Sequence, residues 1–428
     1  MLNHAFVRMW NRRIGAIAWN PNTGLGSFQY DKAFLTSGLD VSPIQMPVRQ
    51  GDITYSFPAL RNNATFKGLP GLLADVLPDK YGNALINTWL TRQGRPSNSL
   101  NPVEMLCFIG QRGMGALEFE PIAPPQTQQA TPLELASLIE VAEDILSGRK
   151  DFSAQLTEGQ EKALVETLKI GTSAGGARAK ALIAFNENTG EIRSGQTLAP
   201  RGFSHWMLKF DGVSDTQFGV SSGYGRVEMA YYLMARDAGI DMMESRLLEE
   251  HGRAHFMTQR FDRIQGQKLH VQTFCALRHF DFNEVDMYSY EALFETMRML
   301  GLTYPEAQQM FRRMAFNVMA RNCDDHTKNF AFIMQPSGQW RLSPAYDVCH
   351  AYRPGSHWVS QHALSINGKR NNIQRNDLLT VGRNMNIKNA AQLIDNIAAV
   401  VANWQGYAQK TAVEQDLSDA IAATHVLL

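Results

Sequence analysis

The hydrophobic pattern of this chain changes character near residue 263 of 428. Residues 165–263 contain short apolar runs separated by turn residues, which is typical of a sheet, and one helical stretch at 226–238. Residues 264–428 instead carry apolar side chains mainly at helical spacing. A mixed segment followed by a helical one predicts an α+β chain with two lobes.

The first part of the chain predicts a further α+β subdomain, residues 1–125. Phe6–Trp10 and Ile14–Trp19 are strand-like runs on either side of Asn11-Arg12-Arg13, which predicts a hairpin. Leu72–Leu90 carries apolar residues at helical spacing, interrupted by a proline and a glycine. This subdomain is therefore expected to combine a sheet with at least one helix.

A proline-rich, uncharged stretch at 121–132 is the best linker candidate. At its end, Thr131-Pro132-Leu133-Glu134 is a capping box, which predicts that a helix begins there and continues to about Leu146. The predicted domains are therefore 1–125, a sheet-rich domain at 131–263, and a helical domain at 264–428.

Charge and cysteine content limit the class of protein. Lysine plus arginine and aspartate plus glutamate each number 41, so the net charge is zero and provides no overall attraction for nucleic acid or acidic membranes. Four scattered cysteines do not make a disulfide framework and suit a reducing compartment. No window has the ~18 apolar residues of a membrane span, and the apolar stretch after the N-terminal arginines is too short for a signal sequence. We expect a soluble, cytoplasmic protein with no membrane partner.

The most informative motif is Asp324-Asp325-His326-Thr327-Lys328-Asn329. It follows an amphipathic helix that opens with a second capping box, Thr303-x-x-Glu306. An aspartate and an asparagine five positions apart have the spacing of a kinase catalytic loop, where the aspartate accepts the substrate hydroxyl proton and the asparagine binds Mg²⁺. Alone, this spacing is common, and a solvated loop after a helix would be the simpler explanation.

A second acidic residue follows at a suitable distance. Asp347 closes the segment Leu342–Asp347, after a predicted hairpin formed by Phe330–Met334 and Trp340–Leu342. Kinases place their other Mg²⁺-binding aspartate in this relation to the catalytic loop, although this one is not in a DFG sequence. The alternative is an aspartate that caps a turn.

Upstream, Gly171–Lys180 is a glycine-rich loop between two apolar runs. Such loops let backbone amides approach phosphate groups closely. Ala177-Arg178 stand where a Walker A motif requires lysine and serine or threonine, which excludes a P-loop NTPase. A flexible connection into a hairpin is the alternative explanation of these glycines.

Lys209 lies on a predicted strand, His205–Phe210, and Glu228 lies at the start of a predicted helix. Kinases use a lysine and a glutamate in these places to hold the α- and β-phosphates. Separately, Lys209 could protect a sheet edge and Glu228 could favour the helix dipole. The order of glycine loop, lysine, glutamate, D-x-x-x-x-N and late aspartate is what favours a kinase.

A zinc site is a competing interpretation, because Cys323, His326, Cys349 and His350 lie in the same two segments. Adjacent Cys349 and His350 cannot easily turn to one tetrahedral ion, and the chain contains no C-x-x-C. The sequence therefore disfavours zinc.

The sequence resembles HipA-type toxin kinases over essentially its whole length. The resemblance is carried by Glu104–Gly115, Gly171–Lys180, Arg260-Phe261-Asp262-Arg263, Asn322–Asn329 and Leu342–Asp347. It implies a bilobal, protein-kinase-like α+β fold with an N-terminal α+β subdomain. It also implies an ATP- and Mg²⁺-dependent serine/threonine kinase that works as the toxin of a toxin–antitoxin pair.

The resemblance assigns roles by position. Asp324 would be the catalytic base, and Asn329 and Asp347 the Mg²⁺ ligands. Lys209 would hold the ATP phosphates together with Gly175, Gly176 and Lys180 of the glycine-rich loop, while Gln259 and Phe261 would line the adenine pocket through their backbone. Ser173 falls where the family autophosphorylates a serine to inactivate itself, and Thr172 is the neighbouring alternative.

Three departures concern the details of ATP and substrate binding. Arg178-Ala179 replace a glutamine–glutamate pair of the best-known members, Asp325 replaces a glycine, and Gln259 replaces a glutamate. The partners implied are a helix-turn-helix antitoxin, DNA mainly through that antitoxin, and a protein substrate among translation components, such as an aminoacyl-tRNA synthetase. The alternative function is a non-catalytic, kinase-like scaffold that co-represses transcription with the antitoxin.

Overall fold

The computed structural model describes residues 2–92, 94–121, 179–195, 199–215, 219–220, 223–250 and 252–428. The predicted linker beyond residue 121, the predicted helix that begins at Thr131, and the glycine-rich loop up to residue 178 lie outside the described residues. The chain forms two compact units, one of residues 1–41, 46–225 and 246–271 and the other of 42–45, 226–245 and 272–428.

The described strands are β1 (His4–Met9), β2 (Arg12–Asn20), β3 (Leu25–Tyr30), β4 (Thr54–Tyr55), β5 (Leu117–Pro121), β6 (Lys180–Phe185), β7 (Ile192–Ser194), β8 (Ser204–Lys209), β9 (Ser214–Asp215), β10 (Gly219–Val220), β11 (Ser245–Glu250), β12 (Arg253–Gln259), β13 (Arg263–Ile264), β14 (Gln267–Lys268), β15 (His270–Thr273), β16 (Ala331–Met334) and β17 (Trp340–Leu342).

The described α-helices are α1 (Lys32–Leu35), α2 (Gly71–Ala74), α3 (Lys80–Arg92), α4 (Pro102–Ile109), α5 (Tyr224–Asp237), α6 (Phe274–Arg278), α7 (Tyr290–Met299), α8 (Tyr304–Met319), α9 (Arg375–Asn384), α10 (Ala390–Ala402), α11 (Trp404–Lys410) and α12 (Gln415–Ala422). None of these helices is long and apolar enough to cross a bilayer.

The N-terminal sheet has five strands in the order β4-β3-β2-β1-β5. The predicted hairpin is confirmed, because β1 and β2 pair antiparallel across the turn at Trp10 and Asn11. On β1, alternate side chains are buried, as expected for a sheet with one face on a core. Helix α4 begins with a capping box between Asn101 and Glu104, and its Glu104 carboxylate also accepts the backbone amide of Leu2. Glu104 therefore binds the start of the chain to helix α4 of this subdomain.

A second five-stranded sheet in the same unit has the order β11-β12-β8-β6-β7. Trp206 and Leu208 lie two positions apart on β8, and both are buried in the hydrophobic cluster of this sheet. Strands β6 and β7 pair antiparallel as a hairpin. Two helices agree with the predictions from the sequence. Helix α5 ends just before Gly239, and α8 opens with the Thr303–Glu306 capping box.

The other unit is mainly helical and contains the β16–β17 hairpin. Its longest helix, α8, buries a continuous set of large side chains and packs against α10. The buried residues of α8 are Met310, Phe311, Arg313, Met314, Ala315, Phe316, Asn317, Val318 and Met319. The segment that carries Asp324 leaves this rigid helix directly, so its starting point is fixed by the core.

Candidate active site

The loop after α8 is held by backbone hydrogen bonds on both sides. Arg321 has a left-handed backbone (φ 56°), which turns the chain away from the helix axis. The Asn322 amide donates to the Asn317 carbonyl at 2.9 Å, and the Cys323 amide donates to the Ala351 carbonyl at 3.0 Å. The path of the chain into Asp324 is therefore set by both the helix and the 351 segment.

Asp324 and Asp325 have opposite environments. The side chain of Asp324 is 45% exposed, with His326 Nε2 at 3.8 Å from one carboxylate oxygen. Asp325 is only 1% exposed. One carboxylate faces the solvent while the other enters the core. Asp324 is thus the solvent-accessible carboxylate of the two.

Asn329 is tied directly to Asp324. Its side-chain Nδ2 donates to the Asp324 carbonyl oxygen at 2.6 Å, which leaves its Oδ1 as the remaining acceptor of the amide. The hydroxyl of Tyr346 donates to the Lys328 carbonyl at 2.6 Å, joining the 345–347 segment to the same loop. The spacing of the D-x-x-x-x-N motif therefore corresponds to a closed, hydrogen-bonded loop.

Asp347 and Asn329 line one small cavity of the helical unit, whose wall also includes Asp325. Asp347 is exposed and has a left-handed backbone (φ 56°), a conformation that aspartate tolerates better than most residues. A carboxylate and an amide oxygen on one cavity are hard oxygen donors, which suit Mg²⁺. The residues at this cavity fit the metal that the sequence predicts.

In the sheet-rich unit, Lys180 and Lys209 stand directly opposite each other on β6 and β8. Lys180 is 3% exposed, and the ammonium of Lys209 lies 5.9 Å from the centre of the Phe256 ring. Both lysines are on the sheet face away from Trp206 and Leu208. Two lysine side chains therefore share one face of this sheet.

Gln259 and Phe261 flank the end of β12. Gln259 is its last residue and pairs with Trp206, while the Arg260 amide continues the ladder by donating to the His205 carbonyl at 2.9 Å. Phe261 follows, outside the strand. The two residues assigned to the adenine pocket are thus placed by the sheet.

Asp262 fixes the segment that contains Phe261. Its buried carboxylate accepts from Arg260 Nε at 2.9 Å, Arg263 Nη1 at 2.7 Å and the Gly115 amide at 2.8 Å. Burial alone would raise the pKa of Asp262, but the two guanidinium groups hold that pKa well below its usual value. Gly115 has φ +77°, and a Cβ there would lie 3.2 Å from the Val271 amide, so glycine is required at this approach.

Of the other predicted site residues, Glu228 is buried near the start of α5. Ser173, Gly175 and Gly176 lie outside the described residues. Their assignments remain predictions. The structure thus brings together Asp324, Asn329 and Asp347 in one unit, and Lys180 with Lys209 in the other.

Family models place the chain among known proteins. A model described as the HipA-like C-terminal domain matches residues 172–404, and one described as the HipA N-terminal domain matches residues 5–120. The chain belongs to the HipA family. The matches contain the segments that carry the resemblance, except for Gly171, which lies one residue before the C-terminal match.

The fold agrees with this family. The chain is similar to HipA in a complex of Shewanella oneidensis MR-1 HipA, HipB and operator DNA, with a TM-score of 0.68 at 17% identity over 98% of this chain and 94% of that one. This similarity confirms the expected kinase-like α+β fold of the HipA family. The Helicobacter pylori proinflammatory kinase CtkA covers 51% of this chain and 90% of its own, with a TM-score of 0.32 and 13% identity.

One curated relative is similar over a shorter segment. The Sinorhizobium fredii protein Y4dM, which is named provisionally as a kinase, is 29% identical over 143 residues. These residues are 30% of this chain and 34% of that protein, so the match spans about a third of the relative.

Two groups of residues at the site were not identified from the sequence. One is the set of contacts of Asp262 with Arg260, Arg263 and Gly115, although these residues lie in segments that carry the resemblance. The other surrounds Asp325 and includes His362, to which no sequence motif points.

Proposed function

We propose that this protein is an ATP- and Mg²⁺-dependent serine/threonine kinase and the toxin of a toxin–antitoxin pair. The observation that carries the proposal is the loop at Asp324. There the carboxylate of Asp324 is half-exposed, and the side-chain amide of Asn329 donates to the Asp324 backbone carbonyl. Asn329 also lines one cavity with Asp347. Membership of the HipA family supports the proposal independently.

Each residue has a distinct task in this reaction. Asp324 accepts the proton of a serine or threonine hydroxyl and orients its oxygen for attack on the γ-phosphorus of ATP, and the bond from that phosphorus to the β–γ bridging oxygen breaks to release ADP. Asn329 and Asp347 would hold Mg²⁺, which neutralises charge on the phosphates when it is bound. Lys209 and Lys180 would hold the phosphates by charge, and the Gln259–Phe261 backbone would hold the adenine.

The proposed partners follow from the family and from charge. The similar Shewanella oneidensis protein was solved with HipB and operator DNA, and we expect a helix-turn-helix antitoxin to bring DNA to this chain in the same way. The protein substrate would be a translation component such as an aminoacyl-tRNA synthetase. The four cysteines are free thiols, which supports action in the cytoplasm.

The test is transfer of the γ-phosphate from labelled ATP in the presence of Mg²⁺, with the protein itself and candidate translation components as acceptors. Wild-type protein should transfer phosphate, and Asp324→Ala should reduce the rate by ~10²–10⁴ with an unchanged fold, because a positioned base is lost. Asp416→Ala is the matched control, since Asp416 is an exposed aspartate on α12. Equal rates in wild type and Asp324→Ala would reject the assignment and favour a non-catalytic co-repressor.

The same reaction tests inactivation by autophosphorylation. A phosphate adds about −1.5 to −2 charges, which would oppose ATP phosphates near the glycine-rich loop. Mass spectrometry should find phosphate on Ser173, or on the neighbouring Thr172, in wild type and on neither residue in Asp324→Ala. Active wild-type protein with both residues unmodified would contradict this regulation.

A further inference from the structure

A fully buried carboxylate lies directly behind the exposed carboxylate of Asp324. Asp325 accepts three hydrogen bonds: from the Tyr290 hydroxyl at 2.8 Å, from His362 Nδ1 at 2.9 Å, and from the Ala363 amide at 2.8 Å. The side chains of Asp325 and His362 are 0% and 1% exposed. These partners come from α7 and from the 362–363 segment, so the carboxylate joins three separate parts of the helical unit.

The partners of Asp325 are themselves held in place. Asn317 on α8 donates from Nδ2 to the Tyr290 hydroxyl oxygen at 3.0 Å and accepts from Asn322 Nδ2 at 3.0 Å. The His362 carbonyl accepts from Arg370 Nε at 2.7 Å. The chain of hydrogen bonds therefore runs from the end of α8 through Tyr290 to Asp325 and on to the 370 segment.

Charge makes this cluster rigid. Burial alone would lower the pKa of His362, but the Asp325 carboxylate raises that pKa to about 10. The imidazole ring of His362 and the carboxyl group of Asp325 are therefore joined by a charge-assisted hydrogen bond inside the core. Such a pair is costly to separate, because either partner left alone would be an uncompensated buried charge.

We infer that Asp325, held by Tyr290 and His362, is a positioning residue that fixes the direction of the Asp324 carboxylate. The two are adjacent in the chain, so locking one side chain into the core sets where the next one points. The inference rests on the proposed kinase function and adds residues to it that touch no reacting atom. An orientation error of about 1 Å at a catalytic group can cost ~100-fold in rate.

If the Asp325 cluster had a purely structural role, substitutions in it would have a different effect on the kinetics. Loss of a stabilising core cluster would lower stability without a selective effect on turnover of the folded protein. A positioning role instead predicts that, when Tyr290 is changed, kcat falls while the KM for ATP stays nearly constant, because Tyr290 does not line the cavity of Asn329 and Asp347. The two roles are therefore separated by kinetics on folded variants.

The test uses a matched pair of tyrosine substitutions. Tyr290→Phe removes the hydroxyl that donates to Asp325. Tyr231→Phe removes an equally buried hydroxyl, which donates to the Ala320 carbonyl at 2.6 Å and lies 3.0 Å from His425 Nε2. Both variants should lose some stability. Only Tyr290→Phe should lower kcat, by ~10-fold or more, with the KM for ATP within ~2-fold of wild type.

Asp325→Asn provides a second variant and a readout that does not depend on activity. It removes the charge that holds His362 and should cause a larger fall in kcat, together with faster hydrogen exchange at the Ala363 amide. The inference is overturned if Tyr290→Phe and Tyr231→Phe have equal kcat, or if KM for ATP changes in place of kcat. Wild-type protein that transfers no phosphate overturns the kinase proposal first, and the inference with it.

Discussion

At the scale of single residues, the metal-binding assignment of Asp347 is open to direct test. Its carboxylate shares a cavity with Asn329 and is carried on a left-handed backbone. That backbone makes the aspartate unusual whatever its role, because side chains with a Cβ disfavour this conformation. A substitution there must therefore separate loss of charge from backbone strain.

Asp347→Ala should abolish Mg²⁺-dependent binding of ATP and lower phosphoryl transfer by at least ~100-fold, because a charge that stabilises the transition state is lost. Asparagine suits the left-handed backbone, so Asp347→Asn removes only the charge. This variant should fold as well as wild type does but bind Mg²⁺–ATP more weakly. Calorimetric titration of ATP with and without Mg²⁺ measures both effects. Normal Mg²⁺–ATP binding and transfer by Asp347→Ala would make this aspartate a turn residue only.

The His362–Asp325 pair predicts a dependence of stability on pH. The pKa of His362 is raised to about 10 in the folded protein, against ~6.5 in an unfolded chain. A raised pKa contributes stability that is complete below the unfolded value and is lost as pH rises through the folded one. The free energy of unfolding should therefore fall between about pH 6.5 and pH 10.

Urea unfolding at several pH values in that window measures the slope for wild type and for His362→Gln. The variant should be less stable at neutral pH and should lose most of the slope. His357→Gln is the control, because His357 is an exposed histidine in the same segment and should keep the wild-type slope. A wild-type slope in His362→Gln would show that other groups cause the pH dependence.

At the scale of elements, helix α8 and its cap place the segments that carry Asp324 and Asp347. The Glu306 carboxylate accepts from the Thr303 amide at 2.7 Å and from the Thr303 hydroxyl at 2.8 Å. Its other oxygen accepts from the Leu342 amide on β17 at 2.9 Å. One side chain thus caps the helix that leads to Asp324 and holds the strand that leads to Asp347.

Glu306→Ala should lower the free energy of unfolding by about 1–3 kcal/mol, since it removes both a helix cap and a hydrogen bond to a strand. Glu414→Ala is the matched control, because Glu414 precedes α12 but makes no capping hydrogen bond with its side chain. Denaturant unfolding measures both variants. Equal stability of the two would show that the Glu306 contacts contribute nothing to the fold.

Local elements could be predicted because their signals are local. The β1–β2 hairpin follows from a turn between two apolar runs, and the start of α8 follows from a capping box of four residues, Thr303–Glu306. The spacing from Asp324 to Asn329 was likewise readable, because the hydrogen bond between them closes over five residues. Each of these depends on neighbours in the sequence.

The clusters that were missed depend on long-range contacts. Asp325 and His362 are 37 residues apart, and Gly115 and Asp262 are 147 apart. Neither pair has a spacing that indicates contact, and a histidine alone in a polar segment resembles a surface residue. Only tertiary packing shows that Asp325 is buried while its neighbour Asp324 is exposed.

At the scale of the whole molecule, backbone carbonyls of the N-terminal subdomain accept hydrogen bonds from side chains of the segment after β12. Arg263 Nη1 donates to the Gly115 carbonyl and Nη2 to the Gly113 carbonyl, each at 3.0 Å. Lys268 Nζ donates to the Gln111 carbonyl at 2.7 Å. The subdomain that matches the HipA N-terminal model therefore supports the segment proposed to hold adenine.

The balanced charge of the whole chain leads to a prediction about its affinity for DNA. The chain has 41 basic and 41 acidic residues, and DNA affinity comes largely from neutralised phosphates. We therefore expect weak binding to promoter DNA by this chain alone and tight binding when a basic, dimeric helix-turn-helix antitoxin is present. Operators for such dimers have twofold symmetry, so one antitoxin dimer should carry two copies of this chain.

Titration of promoter DNA with the chain alone, with the antitoxin alone and with both decides this prediction. The antitoxin should account for most of the salt dependence, because it supplies the phosphate contacts, and the chain should add mass with a small change in slope. Asp324→Ala should assemble as wild type does, since its carboxylate is assigned to catalysis and not to DNA. Tight, sequence-specific binding by the chain alone would contradict this division of roles.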